Sequence, residues 1–463
     1  YKTPLSAEQI RKIAPPIPKL HLKLNNDLVD SSNNYLTPLG ANAQVGGSPF
    51  VDNYKGEASS AYTITDSNYI TFPNAFDSAG IGKTLLHNLN NFTFNTTSGI
   101  RFGNGTSKSC VSEISQKLGP NILFITDKDL MSLKLTEPTL IELKKLTSKV
   151  EVFQDVEADP SLKTLMNAIE IGKKNNITGV IGFGGGSSMD VAKLTSLILG
   201  SNEDIEEAWG VSNAKGPRLP LILVPTTAGT GSEVTPISII TVGEEEKKGV
   251  SSPIILPDIA ILDPELTVGL PAHTTAATGI DAMVHAIEGY ASANKNNNPI
   301  SKMIAVEALK LLGGSIEKAV FEGSNIEARG NMLLGAMLAG KSFANSPVAA
   351  VHALAYPIGG TFHVSHGLSN SLVLPYVLRF NSVDNKATKD YSELAPFLFP
   401  DIDISKGRQA ICKEFIDRLE ILSKKLGLPQ KLREVNIPKE ACKKMASDAM
   451  KQTRLLVNNP REV

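Results

Sequence analysis

The chain has 463 residues, of which 41% are hydrophobic and 20% are charged, and its formal net charge at pH 7 is −1. This balance argues against nucleic acid or an anionic membrane surface as the main partner, and no apolar run approaches the roughly 18–20 residues of a membrane span. A chain of this length exceeds the roughly 250–300 residues that one hydrophobic core supports, so we expect two domains.

The cysteines are few and scattered. There are three of them, Cys110, Cys412 and Cys442, and none belongs to a CxxC pair. A structural zinc site built on cysteines is therefore not expected. An odd number of cysteines, far apart in the sequence, is typical of proteins in a reducing compartment. This favours the cytoplasm or the mitochondrial matrix.

The first 90 residues differ in composition from the rest. Residues 1–90 are rich in Asn, Ser, Pro and Gly, and stretches such as "NNDLVDSSNNY" show no sustained hydrophobic periodicity. We therefore predict a loosely ordered N-terminal extension over 1–90. A remnant of an organelle-targeting segment is an alternative, although Glu8, Asp27 and Asp30 are more acidic than such segments usually are.

From about residue 92 the pattern becomes that of a folded α/β domain. "FTF" and "GIRFG" alternate as in a β-hairpin, and four apolar runs are typical of buried strands: "NILFITD", "GVIGFGGG", "LPLILVPTT" and "IAILDPEL". Amphipathic helical patterns such as "PTLIELKKLTSK" and "SLKTLMNAIEIGKKNN" lie between the first two runs. Strands that alternate with helices predict a mostly parallel sheet with crossover helices, which we expect over 91–266.

After Pro264 the strand patterns nearly vanish. Three long segments repeat their apolar residues with the helical period: "AATGIDAMVHAIEGYAS", "PISKMIAVEALKLLGGSIEKAV" and "ARGNMLLGAMLAGKSF". The sequence therefore predicts an all-helical second domain over 267–463.

Two loops of small residues follow predicted strands. "GFGGGSSMDVAK" places a glycine cluster between a strand and a helix, where backbone N–H groups and the helix N-terminus favour an anion. The cluster is not GxGxxG, and a tight strand-to-helix turn is the alternative. "PTTAGTGSE" is a second such loop, and ligands of open α/β sheets bind at the carboxyl ends of strands. Asp127 ends a third strand, where it would accept hydrogen bonds from a ribose or cap the next turn.

The histidines are concentrated. Three of the seven lie in "HALAYPIGGTFHVSH", and "GIDAMVHAIEGY" places Asp281 and His285 four apart, on one face of a helix. Together with His352 and His366, these residues would supply one carboxylate and three imidazoles. Such a set suits Fe²⁺ or Zn²⁺ and leaves a coordination position open for a substrate oxygen. A surface ion pair at 281 and 285, and ordinary packing for each histidine, are the alternatives.

These motifs together resemble the iron-dependent (group III) alcohol dehydrogenase family. The similarity rests on "GGGSSMD", "PTTAGTGSEVT", "TGIDAMVHAIEGY" and "HALAYPIGGTFHVSHGLSNSLVLP", and it covers about 95–425. The resemblance implies a Rossmann-like dinucleotide-binding domain, an all-helical catalytic domain of the dehydroquinate synthase-like type, and a cleft between them. It also implies a metal held by Asp281, His285, His352 and His366. Residues implied to contact NAD or NADP are Asp127, Gly185, Gly186, Ser187, Asp190, Thr226, Thr227 and Lys248.

One departure from the family pattern concerns proton transfer. Many members carry a further histidine four residues after the third metal ligand, and this chain has Tyr356 there. Tyr356 or His363, neither of which is needed as a ligand, would then carry the proton, or each simply packs. The expected chemistry is hydride transfer from an alcohol to the nicotinamide, with a metal that lowers the pKa of the alcohol. The expected assembly is a homodimer.

Three rival functions remain open from the sequence. The first is a hydroxyacid–oxoacid transhydrogenase of the same family, which would want an Arg or Lys in the cleft for its carboxylate substrates. The second is metal-dependent lyase chemistry on the same domain plan. The third is a non-catalytic protein that binds a metal or a nucleotide.

Overall fold

The computed structural model describes residues 91–243 and 246–463, and within 1–90 only the backbone of short strands. Residues Tyr1–Asn90 form a unit of their own, separate from Asn91–Val463. Its strands make three antiparallel pairs: Leu22–Asn25 with Asp27–Asp30, Gln44–Val45 with Ile70–Thr71, and Phe50–Val51 with Ala61–Tyr62. The predicted loose order of 1–90 otherwise lies outside the described residues.

The second unit is built on a parallel sheet. Its described strands are β1 (Gly99–Phe102), β2 (Asn121–Ile125), β3 (Lys149–Phe153), β4 (Gly179–Gly184), β5 (Gly210–Val211), β6 (Leu221–Pro225), β7 (Ile237–Val242), β8 (Glu246–Ser251) and β9 (Ile259–Leu262). Six of them form one sheet in the order β3-β2-β4-β6-β9-β1, with every neighbouring pair parallel. Strands β5, β8 and β7 form a smaller sheet, in which β7 and β8 are antiparallel.

The winding of the sheet reverses at one place. The chain passes from β2 outward to β3 and then returns across β2 to β4. In open α/β sheets the crevice at such a reversal, outside the carboxyl ends of the strands, is where ligands bind. The segments that follow β2 and β4 therefore flank the expected ligand crevice.

Helices surround the sheet and then replace it. Those accompanying the sheet are α1 (Thr106–Ser109), α2 (Val111–Leu118), α3 (Lys128–Ser132), α4 (Glu137–Leu146), α5 (Leu162–Lys174), α6 (Gly186–Ser201) and α7 (Ile205–Ala208). After β9 the chain continues through α8 (Ala272–Ala291), α9 (Pro299–Phe321), α10 (Ile326–Asn345), α11 (Ala350–Phe362), α12 (His366–Asn381), α13 (Asn385–Leu398), α14 (Arg408–Lys425), α15 (Ala441–Met450) and α16 (Thr453–Leu456). Short 3₁₀ helices lie at Ser232–Val234, Pro253–Ile255, Pro264–Thr267, Ile404–Lys406 and Leu432–Val435.

The predicted fold class, α/β followed by all-α, is confirmed. The four apolar runs form β2, β4, β6 and β9, and no strand follows Leu262 in the described chain. Residues 91–463 form one compact unit, so the division at 266/267 stays a prediction. No helix of the described residues is long and apolar enough to cross a membrane.

One local prediction was wrong, and one strand was not predicted. The "FTF"–"GIRFG" hairpin does not form, because β1 pairs in parallel with β9 from far along the chain. The strand β3 was missed because its sequence KVEVF alternates polar and apolar residues, as suits its place at the edge of the sheet, and lacks a continuous apolar run.

The core explains why the sheet lies between helices. Alternate residues of β2 enter different cores: Leu123 and Ile125 pack on one face, and Ile122 and Phe124 on the other. Successive side chains of a strand point to opposite faces, so a strand apolar throughout needs cover on both sides. Ala260 and Leu262 of β9 instead join the core of the helical half, which ties the two halves together.

Candidate metal and dinucleotide site

The glycine turn and the second small-residue loop face each other. They follow β4 and β6, which are neighbours in the sheet, and Thr226 N–H donates to the Gly184 carbonyl at 3.0 Å. Gly184 has φ of 153°, and a Cβ there would lie 2.7 Å from Ser188 Oγ, so only glycine suits this position. A Cβ on Gly186 would lie 3.0 Å from Thr230 Cγ2. The two loops thus lie in close contact at the carboxyl edge of the sheet.

The first turn of α6 is open to an anion. Gly185 is the N-cap and offers no side-chain acceptor to the free N–H groups of the turn. Gly185, Gly186, Ser187 and Thr227 are half-buried, whereas Ser188 and Thr226 are buried. Backbone donors at the open end of a helix, beside the sheet reversal, suit a pyrophosphate.

Asp127 lies at the same edge of the sheet, just beyond β2. Its carboxylate accepts a hydrogen bond from Leu130 N–H at 2.9 Å and caps α3. The capping alternative is therefore what the structure shows, and a role toward ribose remains a prediction. Burial raises the pKa of this half-buried carboxyl, and the hydrogen bond from Leu130 opposes that effect. The adjacent Lys128 pairs with Asp155 at 2.8 Å.

Two residues expected at the dinucleotide have protein partners in the structure. Asp190 accepts hydrogen bonds from Ser232 Oγ at 2.6 Å and from Ile239 N–H at 2.9 Å. The Nζ atom of Lys248 lies 3.6 Å from Glu206 Oε2. The structure thus places Asp190 as a link between α6 and the segment after β6, and it places Lys248 beside α7.

Lys193 was missed by sequence reasoning. It is fully buried and donates to Ser232 Oγ at 2.8 Å and to the Ile237 carbonyl at 2.6 Å. Burial lowers its pKa to about 8, although Asp190 and Glu233 act in the opposite direction. Its contacts connect α6 firmly to the loop opposite.

The four predicted metal ligands do converge. One donor atom from each of Asp281, His285, His352 and His366 lies within 4.8 Å of the other three. The His352 ring centroid is 4.7 Å from that of His285 and 5.3 Å from that of His366. The set of one carboxylate and three imidazoles suits Fe²⁺ or Zn²⁺.

Close packing of helices creates this convergence. Asp281 and His285 share a face of α8, His352 lies in the first turn of α11, and His366 begins α12. A Cβ on Gly367 would lie 2.5 Å from the Ala277 carbonyl oxygen, so α12 begins in direct contact with the backbone of α8. The helix α11 ends at Phe362, and residues 363–365 form the turn that leads into α12.

The surroundings of His285 and Asp281 favour the protonation states that bind a cation. Burial lowers the pKa of His285 to about 3, and its neighbouring imidazoles lower it further while Asp281 opposes them. Burial raises the pKa of Asp281, but the three histidines and the Asn370 amide outweigh that effect, so the pKa lies below the usual value. Neutral imidazoles and an ionised carboxylate are the forms that bind metal. His366 exposes 42% of its side chain, which leaves the cluster open on that side.

Glu288 was also missed, and it contacts a ligand directly. Its Oε2 lies 2.6 Å from His352 Nδ1, and its Oε1 accepts from Val351 N–H at 2.8 Å. A carboxylate only accepts, so the proton resides on Nδ1 and the lone pair of His352 is on Nε2. The signal in the sequence was spacing, because Glu288 follows His285 by three residues on the same helix.

Asn370 completes the surroundings of the cluster. Its Nδ2 donates to Asp281 Oδ1 at 2.6 Å and lies 3.3 Å from Nε2 of both His352 and His366. It is buried, and it follows His366 by one helical turn.

The two candidates for proton transfer differ in position. The Tyr356 ring lies 6.3 Å from that of His366, and its hydroxyl accepts a hydrogen bond from Arg454 at 3.1 Å. His363 is exposed and ends α11 in a left-handed backbone conformation with φ of 54°. Within the described chain its ring makes no recorded contact with the ligands.

A parallel sheet with a glycine turn, joined to helices on which a carboxylate and three histidines converge, suits an enzyme that binds both a dinucleotide and a metal ion. Comparison with known proteins agrees. Profiles described as "Iron-containing alcohol dehydrogenase" and "Fe-containing alcohol dehydrogenase family, C-terminal" match 97–264 and 275–463. The chain therefore belongs to the iron-containing alcohol dehydrogenase family, as its motifs indicated.

Individual relatives cover most of the chain. Long-chain-alcohol dehydrogenase 1 of Geobacillus thermodenitrificans is 38% identical over 361 residues, which are 77% of this chain and 90% of the relative. The NAD-dependent methanol dehydrogenase of Bacillus methanolicus is 31% identical and spans 78% of this chain and 93% of its own length. The solved structure of an alcohol dehydrogenase from Oenococcus oeni has a TM-score of 0.77 and 32% identity, covering 81% of this chain and 97% of that one.

The Glu288–His352 contact leads to a prediction about metal affinity. A glutamine can satisfy Val351 N–H or His352 Nδ1–H but not both, so Glu288→Gln should lower metal affinity by about ten- to hundredfold. Competition with a chelator measures this affinity directly. Glu393→Gln, which removes another carboxylate that accepts from a buried partner (Tyr290 Oη, 3.1 Å), is the matched control. Equal metal affinity in wild type and Glu288→Gln would show that Glu288 only caps α11.

The position of His363 leads to a second prediction. His363→Asn retains a residue that tolerates the left-handed conformation, so the backbone should be preserved. If the ring carries protons, turnover should fall at unchanged metal content and become dependent on buffer concentration, because buffer then takes the proton. Unchanged turnover in dilute buffer would show that the ring has no role.

Proposed function

We propose that this protein is a metal-dependent, NAD-linked alcohol dehydrogenase. It would convert an alcohol and NAD⁺ into an aldehyde or ketone, NADH and a proton, and catalyse the reverse reaction. One observation carries the proposal, namely that a single loop contacts both halves of the site. Thr230 faces Gly186 of the glycine turn, and Gly229 packs so closely on α8 that a Cβ would lie 2.7 Å from Thr278 Cβ. Thr278 precedes Asp281 by three residues, so the loop that would line the dinucleotide site also packs beside the metal cluster.

Different residues of the site would bind the cofactor and the metal. The N-terminus of α6 and the two facing loops would hold the pyrophosphate, and the loop beside the cluster would bring the nicotinamide toward it. Asp281, His285, His352 and His366 would hold the metal, which on binding supplies a Lewis acid that lowers the pKa of the alcohol. Phe343 stacks on the His285 ring at 4.3 Å and keeps water from the inner side of the cluster.

The proposal includes finer assignments. Fe²⁺ is the expected metal and Zn²⁺ the alternative, since both accept this ligand set. NAD is the expected cofactor, in keeping with the NAD-dependent methanol dehydrogenase of Bacillus methanolicus, and NADP is the alternative. A homodimer and a reducing compartment, cytoplasmic or mitochondrial, complete the proposal.

Loss of a buried ligand tests the proposed function. His285→Ala or His352→Ala should abolish metal retention and alcohol oxidation, because each removes one of four converging donors. Dinucleotide binding should remain, since the glycine turn lies on another element. Metal content and NADH binding by fluorescence are the two measurements, with His273→Ala on the exposed start of α8 as the control. Normal turnover in a variant that holds less than about a tenth of the metal would contradict the assignment.

Cofactor choice provides a further test. A carboxylate at 127 would lie near the 2′-phosphate of NADP, and like charges about 4 Å apart repel by roughly 1–4 kcal/mol. We expect a preference for NAD, and Asp127→Asn should raise kcat/KM for NADP while preserving the cap of α3. Asp129→Asn, two residues further on in the first turn of α3, is the control. A wild-type preference for NADP would show that Asp127 does not face the ribose.

A further inference from the structure

A fully buried lysine lies behind the second small-residue loop. Lys193 is on α6, about two helical turns after Gly186. Its Nζ donates to Ser232 Oγ at 2.8 Å, to Thr235 Oγ1 at 3.3 Å and to the Ile237 carbonyl oxygen at 2.6 Å. An ammonium group has three donors, so every donor of Lys193 is used on the segment 232–237. Loss of its proton would leave one of these acceptors without a donor.

Two carboxyl groups share this buried environment. The Oδ1 atom of Asp190 lies 3.7 Å from Lys193 Nζ and accepts a hydrogen bond from Ser232 Oγ at 2.6 Å. The Ser232 hydroxyl therefore connects the two, since it accepts from Lys193 and donates to Asp190. Glu233 is buried as well, and its charge acts on Lys193. One cation cannot neutralise two ionised carboxylates, and an uncompensated buried charge is costly.

The buried surroundings of these three groups place their proton exchange near neutral pH. Asp190 only accepts in its side-chain hydrogen bonds, from Ser232 Oγ and Ile239 N–H, as an ionised carboxylate does. Burial raises the pKa of Glu233 to about 7, although its own backbone N–H and Lys193 oppose the effect. Burial lowers the pKa of Lys193 to about 8, against the attraction of both carboxyl groups. As the pH rises through these two values, the net charge of the three groups therefore falls from zero to −1 and then to −2.

Within the described chain, no other charge acts on the pair Lys193–Glu233. The neighbouring strands β6 and β7 carry no ionisable side chain. Helix α10, whose Gly340 contacts Gly231, carries the half-buried Lys341 next to it. Lys341 does not shift the pKa of Glu233 or that of Lys193. The protonation of the pair is therefore governed by burial and by Asp190.

The pair lies next to the expected dinucleotide site. Ser232 N–H donates to Thr230 Oγ1 at 3.2 Å, and a Cβ on Gly186 would lie 3.0 Å from Thr230 Cγ2. The contacts of Lys193 thus extend through Ser232 to the first turn of α6, which is about 10 Å away along the helix axis. An uncompensated negative charge at that distance would oppose the binding of a pyrophosphate, which is itself negative.

We infer that Lys193 and Glu233 are positioning residues for the dinucleotide, acting through the second small-residue loop. While both carry a proton, Lys193 holds the segment 232–237 in place and the region behind the loop has no net charge. When the protons leave, the region becomes negative, a hydrogen bond to the segment is lost, and the affinity for the dinucleotide falls. This inference rests on the proposed function, because it concerns the cofactor of that function.

The binding of NADH as a function of pH tests the inference. The metal-loaded full-length protein is titrated with NADH in the absence of substrate, and fluorescence gives the Kd from about pH 6 to about pH 9. For the wild type, the Kd should rise by about tenfold or more over this range. That is the size of the repulsion between unit charges about 10 Å apart at an effective dielectric constant of about 20.

Glu233→Gln separates charge from shape. The amide has the size of the carboxyl group but cannot ionise, so the variant should match the wild type at about pH 6. At about pH 8 it should bind NADH about tenfold more tightly than the wild type. If Glu233 only supported the fold, the variant would instead bind more weakly at both pH values.

Substitutions of Lys193 test the second proton. Lys193→Arg keeps the positive charge at every pH used, so the rise of the Kd above about pH 8 should disappear. Lys193→Met removes the cation and its donors, so it should weaken NADH binding by about tenfold even at about pH 6. Asp390→Asn is the matched control, because Asp390 is another buried carboxylate beside a largely buried lysine, Lys302 at 3.3 Å, on α13 and α9. This control should leave the pH dependence unchanged.

The NADH titrations separate this inference from the proposed function. Tighter binding by Glu233→Gln at about pH 8, with Asp390→Asn equal to the wild type, would support the inference. If the wild type binds NADH with one Kd over the whole range, or if Glu233→Gln keeps the wild-type pH dependence, the inference is overturned and the proposed function stands. If the metal-loaded wild type binds NADH at none of these pH values, the proposed function fails instead.

Discussion

The contact between α8 and the start of α12 is the constraint on which the metal cluster depends. No side chain larger than that of glycine is compatible with position 367, because a Cβ would lie 2.5 Å from the Ala277 carbonyl oxygen and 3.2 Å from Asp281 Cβ. This approach lets His366, the first residue of α12, reach the carboxylate of Asp281, with Nε2 and Oδ1 3.7 Å apart. Protein interiors are packed densely, so even one added methyl group here would separate the helices. The position of His366 follows from backbone packing.

Close glycine contacts also connect the sheet and the helical half, which have different hydrophobic cores, at one site. The sheet places both small-residue loops at one edge, and the loop after β6 extends from there to α8. Gly229 and Gly231 permit that extension, because a Cβ on Gly231 would lie 2.5 Å from the Cα of Gly340 on α10. Lys193 and Asp190 hold the other end of the loop to α6 through Ser232. Contacts at both ends of the loop therefore set the separation between the glycine turn and the metal cluster.

The sequence predicts the framework of this site better than its surroundings. Periodicity alone places Asp281 and His285 on one helix face, and the apolar runs identify the four central strands of the sheet. Periodicity could not show that α8, α11 and α12 meet, since that depends on glycine contacts between residues distant in sequence. Family resemblance supplied that step. Edge strand β3 and the hairpin were misjudged because local alternation does not reveal which strand becomes the partner.

Residues that act through others were the hardest to foresee. Asp190 belongs to a motif, yet in the structure its carboxylate binds Ser232 and Ile239. Glu288 belongs to a motif as well, but only coordinates show that it contacts His352 across 64 positions of sequence. A glutamate three residues after a histidine on a helix is common on protein surfaces, where it has no such role.

The metal cluster is enclosed by protein on one side and exposed to solvent on the other. Asp281, His285 and His352 are enclosed by the helical core and by Phe343, whereas His366 is open. The open side of the cluster is therefore the side of His366, next to Tyr356. A phenol hydrogen-bonded to a guanidinium is a poorer proton acceptor than a neutral imidazole, because its oxygen is already engaged and faces a positive charge. Tyr356 is therefore less suited to accept a proton than an imidazole at this position would be, whereas the exposed edge near His366 puts solvent within reach of the cluster.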